Sequence, residues 1–215
     1  MEIAARIDRT KYEVFRWRYD LSIPKKISLA LGIAALTGLL AQAIIPLPWT
    51  PIQITGQTFA VLLAGVLMGR RWGGIAMVIF AGLGFAGLPW FSGWESGLGA
   101  TRGYIIGFIP AALFLGYFTD KYIRSRSFFS MLGLMLFANF VLIYVPGLLW
   151  LWIWLKVVAG TSPTFVDLMG MAVIPYIAGD IVKAAAAAII ARGITPKSAD
   201  NGEVDQGKWA SWRIP

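Results

Sequence analysis

The chain contains no cysteine and no histidine. The first absence excludes disulfide stapling and thiolate catalysis; the second removes the commonest zinc and haem ligand and the usual proton shuttle near neutral pH. These residues favour neither metal nor redox chemistry, so neither cofactor nor resident metal is expected. Charge is also scarce, at 14% of residues, and uneven in sign, with 19 Lys and Arg against 11 Asp and Glu. No Gly-x-x-x-x-Gly-Lys-Ser/Thr loop occurs, so ATP hydrolysis by this chain is not expected. A cleavable leader is not expected either, because Met1 to Asp20 mixes charges and aromatics and lacks an apolar core followed by small residues.

Apolar residues are abundant instead. They make up 58% of the 215 residues, too many for a soluble domain in a chain too short for several membrane domains. Apolar runs extend over about 27–45, 58–68, 74–88, 103–119, 128–158 with a bend at Pro146-Gly147, and 165–190. The expected fold is all-α and integral to the membrane: a compact bundle of six transmembrane helices at 27–192. It is preceded by a basic amphipathic segment at 1–26 and followed by a polar tail at 193–215, disordered apart from Trp209 and Trp212. The runs at 58–68 and 74–88 are short for a hydrocarbon core of about 30 Å, and Gly69-Arg-Arg-Trp-Gly73 between them reads as a turn. Sixteen of the 19 cations fall in alternate connections and at the two termini, which places both termini in the cytoplasm. That distribution accounts for the net charge of +8 without nucleic acid. The 1–26 segment reads equally well as a helix on an anionic bilayer surface and as a solvated tail.

The last apolar run holds Asp180 and Lys183, three residues apart and so on one face of a helix. Each costs roughly 3 kcal/mol at mid-membrane, and intramembrane charges default to function. The pair reads as a polar binding site for a small ligand with a carboxylate and N–H groups; a buried ion pair that only orders packing is the alternative. Gln53-Ile-Thr55-Gly56-Gln57-Thr58 places hydrogen-bonding groups at a helix start, either for a ligand or for simple capping. Trp90, Phe91 and Trp94, in a glycine-rich loop, read as a lid over a pocket or as an interfacial aromatic belt. Arg102 and Lys156 stand on the cation-poor side; Lys156 snorkels from a helix end, whereas Arg102 is a second candidate for the ligand's carboxylate. Ala30, Ala34 and Gly38 recur every fourth residue, a flat stripe for the bundle interior or for a partner helix.

Ile54-Thr-Gly-Gln-Thr58, Leu63-Ala-Gly65 with Gly69-Arg-Arg71, Gly87-Leu-Pro89-x-Phe91, Gly103-Tyr-Ile-Ile-Gly-Phe108 and Gly179-Asp-x-x-Lys183 together resemble the BioY family. Those proteins are the biotin-specific substrate-binding subunits of energy-coupling factor transporters. The resemblance covers about 27–192. It implies six membrane helices, and biotin held near the outer face under the loop between the first two helices and the loop between the third and fourth. By this resemblance Asp180, Lys183, Thr55, Gln57 and Tyr104 hold biotin, with Arg102 as an alternative carboxylate partner and Trp90, Phe91 and Trp94 as apolar cover. Ala30 and Ala34 match the Ala-x-x-x-Ala that docks the transmembrane coupling subunit, which works with two ATP-binding subunits. Gln53 stands where the family usually has proline, and Ala100-Thr-Arg-Gly-Tyr104 replaces its Gly-Pro-Thr-Gly-Gly-Tyr. The implied function is capture of external biotin at the plasma membrane. A subunit for a different vitamin is the nearer rival. A membrane enzyme using Asp180 as base is the more distant one, since neither a nucleophile and base pair nor a metal set accompanies that residue.

Overall fold

A computed structural model describes residues 2–196 and 203–205, and it is helical apart from one two-stranded ribbon. The elements in order are α1 (Glu2–Asp20), α2 (Ile23–Leu40), β1 (Ile44–Ile45), β2 (Ile54–Thr55), α3 (Gln57–Phe85), α4 (Arg102–Lys121), α5 (Phe128–Phe137), α6 (Tyr144–Val157), α7 (Phe165–Ala172) and α8 (Ile177–Ile194). Among the described residues, five helical stretches are long and apolar enough to cross a bilayer: α2, α3, α4, the run through α5 and α6, and the run through α7 and α8.

Two stretches are less simple than their length implies. Within α3, Gly69 adopts φ 74° and ψ 177°, a backbone state that a side chain would strain. A Cβ on Gly73 would lie 2.8 Å from the Gly65 Cα, although eight residues of straight helix rise about 12 Å. The chain therefore doubles back at Gly69, where the sequence places a turn, and α3 is a hairpin of two arms. In the last stretch, Val173 leaves the helical region and a 3-10 turn at Ile174–Tyr176 contains Pro175. Proline cannot donate to the preceding turn, so a new helix, α8, starts just before Asp180. An acid in a first helical turn is favoured by the helix dipole and by the unpaired N–H groups there.

Helix α4 is the central packing element. A Cβ on Gly103 would stand 2.3 Å from the Pro146 carbonyl oxygen, and one on Gly107 would stand 2.7 Å from the Ile143 Cα. The backbones of α4 and the 138–157 stretch thus touch directly, the kind of close contact that holds helices together where lipid gives no hydrophobic incentive to associate. Buried Phe80, Phe108, Leu115, Met131 and Met135 fill the rest of the core, while Leu29, Leu36, Leu39, Phe129 and Val182 point outward.

Three expectations are corrected. The 1–26 segment is divided: α1 ends at Asp20, and α2 begins at Ile23, taking in Lys25 and Lys26. It is neither a free tail nor only a surface helix, because Phe15 is buried and Arg18 donates to the Val66 carbonyl (2.5 Å) and to Asp120 Oδ1 (2.6 Å). The first apolar run does not remain helical to residue 45, since Ile44 and Ile45 pair with Thr55 and Ile54 as a short antiparallel ribbon. Part of the tail is ordered: Glu203 forms a 2.9 Å ion pair with Arg126, and Asp205 accepts from the Ile123 and Arg124 amides. Trp209 and Trp212 lie outside the described residues.

Candidate functional site

Asp180 is buried, and both carboxylate oxygens have partners. Lys183 Nζ lies 2.6 Å from Oδ1, as expected for neighbours on one helix face. Oδ2 accepts from Asn139 Nδ2 (2.9 Å) and from the Tyr144 hydroxyl (2.5 Å). Lys183 also donates to the Thr55 carbonyl at 3.1 Å, which ties α8 to the ribbon strand β2. A charge in such surroundings persists only when paired and hydrogen-bonded, and this pair is both.

The pair forms part of the lining of a partly open cavity. Gln57 and Thr58 enter from the first turn of α3, Tyr104, Ile105 and Phe108 from α4, and Tyr176 from the turn before α8. The roof is Ile52 to Thr55 and Ser92. Two hydrogen bonds hold it: Tyr176 donates to the Ile52 carbonyl at 2.7 Å, and the Ser92 hydroxyl donates to Gln53 Oε1, joining the two loops. Tyr104 donates to the Ala172 carbonyl at 3.3 Å, bridging α4 and α7. Gln57 Nε2 and Thr58 Oγ1 are buried without a hydrogen-bond partner. An unsatisfied buried group carries a desolvation penalty of about 1–3 kcal/mol, which a ligand group accepting from them relieves. Gly56, not a threonine, occupies the N-cap of α3, and no side chain caps it. Capping therefore does not explain Thr55 or Thr58.

Asp180, Lys183, Thr55, Gln57 and Tyr104 thus converge on one cavity. The other expected residues do not. Arg102 is buried beside the cavity and donates to the Gly97 carbonyl (2.7 Å), Thr101 Oγ1 (3.1 Å) and Glu95 Oε2 (3.0 Å), with its guanidinium 4.7 Å above the Phe91 ring. Its donors fasten its own loop, and it borders a separate polar cleft with Trp94 and Trp154. Trp90 donates to the Phe80 carbonyl at 2.9 Å, and Phe91 is fully buried against Gly84 and Phe80. The lid expectation for Trp90 and Phe91 is therefore corrected: both are anchors driven into the bundle, because the gap opposite Gly84 admits a ring. Trp94 is exposed on the rim of the other cleft. Ala30 and Ala34 are fully buried within the hydrophobic core. The partner-docking expectation is corrected for these two residues, since their faces are already covered by this chain's own core.

Sequence reasoning missed Asn139, Tyr144 and Tyr176. An amide amid the apolar run Phe128 to Tyr144 carries the same kind of signal as Asp180, a polar group whose burial has to be compensated. Tyr144 and Tyr176 give no such signal, because tyrosine is common at membrane boundaries.

The family profile described as "BioY family" matches residues 11–200. The chain belongs to the BioY family. A probable biotin transporter BioY of Methanothermobacter thermautotrophicus is 48% identical over 157 residues, covering 71% of this chain and all of the relative. A biotin transporter BioY of Rhizobium etli is 33% identical over 181 residues, covering 78% and 89%. The fold is similar to a crystal structure of the S-component for biotin from an ECF-type ABC transporter, with TM-score 0.69, 25% identity, and coverage of 80% of this chain and 93% of that one. Membership in this family, together with five stretches able to cross a bilayer, makes the chain a multi-pass plasma membrane protein.

Proposed function

We propose that the chain is the biotin-binding subunit of an ECF-type transporter and captures external biotin for import; it binds and releases its substrate and does not transform it. The observation that carries the reading is the cavity wall itself. A charge-balanced Asp180–Lys183 pair lines the same chamber as unpaired Gln57 Nε2 and Thr58 Oγ1, and the chamber's exposed lining is otherwise largely apolar. Biotin's ureido ring presents N–H donors and a carbonyl acceptor. Asp180 accepts from a ureido N–H, and Gln57 and Thr58 donate to the carbonyl. Apolar walls with a few placed polar groups suit the rest of the bicycle. Lys183 remains the counter-ion of Asp180 and the tie to Thr55.

The membrane arrangement in this reading counts the arms of α3 separately, giving six crossings with both termini cytoplasmic. The cation-rich connections then share one side. Transport requires a transmembrane coupling subunit and two ATP-binding subunits. With Ala30 and Ala34 enclosed, the coupling subunit meets the outward face of α2 and its neighbours.

Calorimetric titration of the purified protein with biotin, and with riboflavin and thiamine as controls, tests the assignment. Tight binding of biotin alone, lost in Asp180→Asn, supports substrate and site together. A folded wild-type protein that ignores biotin overturns the substrate, and tight binding of a control vitamin moves the protein to that ligand.

A further inference from the structure

Asp180 is an acceptor in the biotin reading, and the elements behind it explain how it is held as one. Asn139 and Tyr144 are five residues apart. On an α-helix, positions five apart point about 140° away from each other and cannot serve one atom. Between them lies a π-helical stretch, Ala138–Ile143, whose i→i+5 hydrogen bonds widen the turn and bring positions five apart onto one face. Both side chains accordingly donate to the same oxygen, Asp180 Oδ2, at 2.9 and 2.5 Å. The wide turn has a local cause in Pro146, which lacks the N–H that would close an α-turn on the Leu142 carbonyl and whose ring crowds that carbonyl.

The orientation of Asn139 follows from chemistry. An ionised carboxylate only accepts, so the amide must face it with Nδ2, which leaves Oδ1 turned away, buried and without a partner. An amide held this way at the expense of its own oxygen contributes more to Asp180 than to its own burial. With Lys183 on Oδ1 and two donors on Oδ2, three of the carboxylate's roughly four acceptor directions are filled. One direction remains for a ligand.

We propose that Asn139 and Tyr144 are positioning residues for ligand recognition: the π-helical turn brings them together to lock the Asp180 carboxylate in one orientation, so that a single acceptor direction is offered to a ligand N–H. The proposal rests on the biotin reading for the identity of that ligand. It assigns function to the irregular turn, a feature that otherwise only weakens a helix.

The test uses the full chain in lipid nanodiscs, as wild type, Asn139→Ala and Tyr144→Phe, with Asp180→Asn to identify the Asp180 band in infrared difference spectra. Biotin affinity is measured by titration and the carboxylate stretch is read in ligand-free protein. Each positioning variant is expected to weaken biotin roughly tenfold, as for loss of one hydrogen bond to a charged group, and to shift the Asp180 band. A purely structural role would leave that band in place. An unchanged affinity, or an unmoved band beside a reduced affinity, overturns the proposal. Tyr144→Phe removes one oxygen with little change of volume, so it decides the matter if Asn139→Ala does not fold. Should wild type fail to bind biotin, the substrate reading falls by that result, and an unmoved band in either variant separately overturns the positioning role.

Discussion

Asp180 and Asp120 are both acids tied to basic and tyrosine side chains, at different places in the fold, and their hydrogen bonds serve different ends. Asp120 accepts from Arg18 and Tyr19 through Oδ1, both at 2.6 Å, and from the Arg70 amide through Oδ2 at 2.9 Å. Its partners come from α1 and from the reversal after Gly69, so the acid fastens one element to another. Asp180 has the same kind of partners, a cation and a tyrosine, yet it faces a chamber in which Gln57 Nε2 and Thr58 Oγ1 remain unpaired. An acid whose contacts run only between elements acts as a fastening, even with Arg18 Nε beside it buried and without a partner. An acid beside unsatisfied donors and open space is a recognition site.

The comparison is broken most severely by exchanging the charge at each position. Asp180→Asn is expected to weaken biotin by about a hundredfold or more, since it removes a charged acceptor and leaves Lys183 unbalanced in the interior; Asp120→Asn leaves the biotin dissociation constant unchanged. If both variants lose biotin equally, the division between fastening and recognition fails. Asp120→Asn should instead lower unfolding stability by about 2 kcal/mol, read by thermal denaturation in detergent, because charged hydrogen bonds to Arg18 and the Arg70 amide are weakened.

Gln57→Leu sharpens the contrast. It should weaken biotin by about tenfold while leaving the melting temperature equal or higher, since a buried donor without a partner is removed from the empty protein. A lower melting temperature with unchanged affinity would assign Gln57 to the fold.

The smallest effect concerns Tyr19. Burial, and secondarily the nearby Asp120 carboxylate against the opposing pull of Arg18, hold its hydroxyl above the ordinary tyrosine range. A group whose pKa is raised by folding contributes stability below its unfolded value of about 10 and loses it as pH rises beyond that. Docking of α1 should therefore weaken above about pH 10. Tyr19→Phe should cost under about 1 kcal/mol at neutral pH and flatten that alkaline component, measurable from the protease sensitivity of α1.

Some features were legible because their physics is local. Asp180 and Lys183 share a helix face by spacing alone, Gly69 marks a reversal because a side chain is strained there, and Pro175 ends a helix by lacking an N–H. The helical membrane class follows from apolar runs too long and too numerous for a soluble domain. Direction was not legible. Trp90 and Phe91 belong to a loop whose composition suits a cover, yet they point inward because Gly84 and Gly38 leave gaps that aromatic groups fill. Ala30 and Ala34 form a stripe that fits either side of α2, and only the position of the core decides which side.

The sequence by itself therefore determined the class of the protein, its turns and the acid and base at its centre, because hydrophobicity, backbone strain and helical spacing act over a few residues. Only the tertiary structure decided that Asn139 and Tyr144 meet at one carboxylate oxygen, that Arg102 serves its own loop, and that residues 203–205 close on Arg126 and the 121–124 turn. Those contacts join residues far apart in the chain, depend on a π-turn's departure from regular periodicity or, for Arg102, on how the irregular 95–101 loop folds back on the side chain, and a periodic reading of neighbours contains none of these.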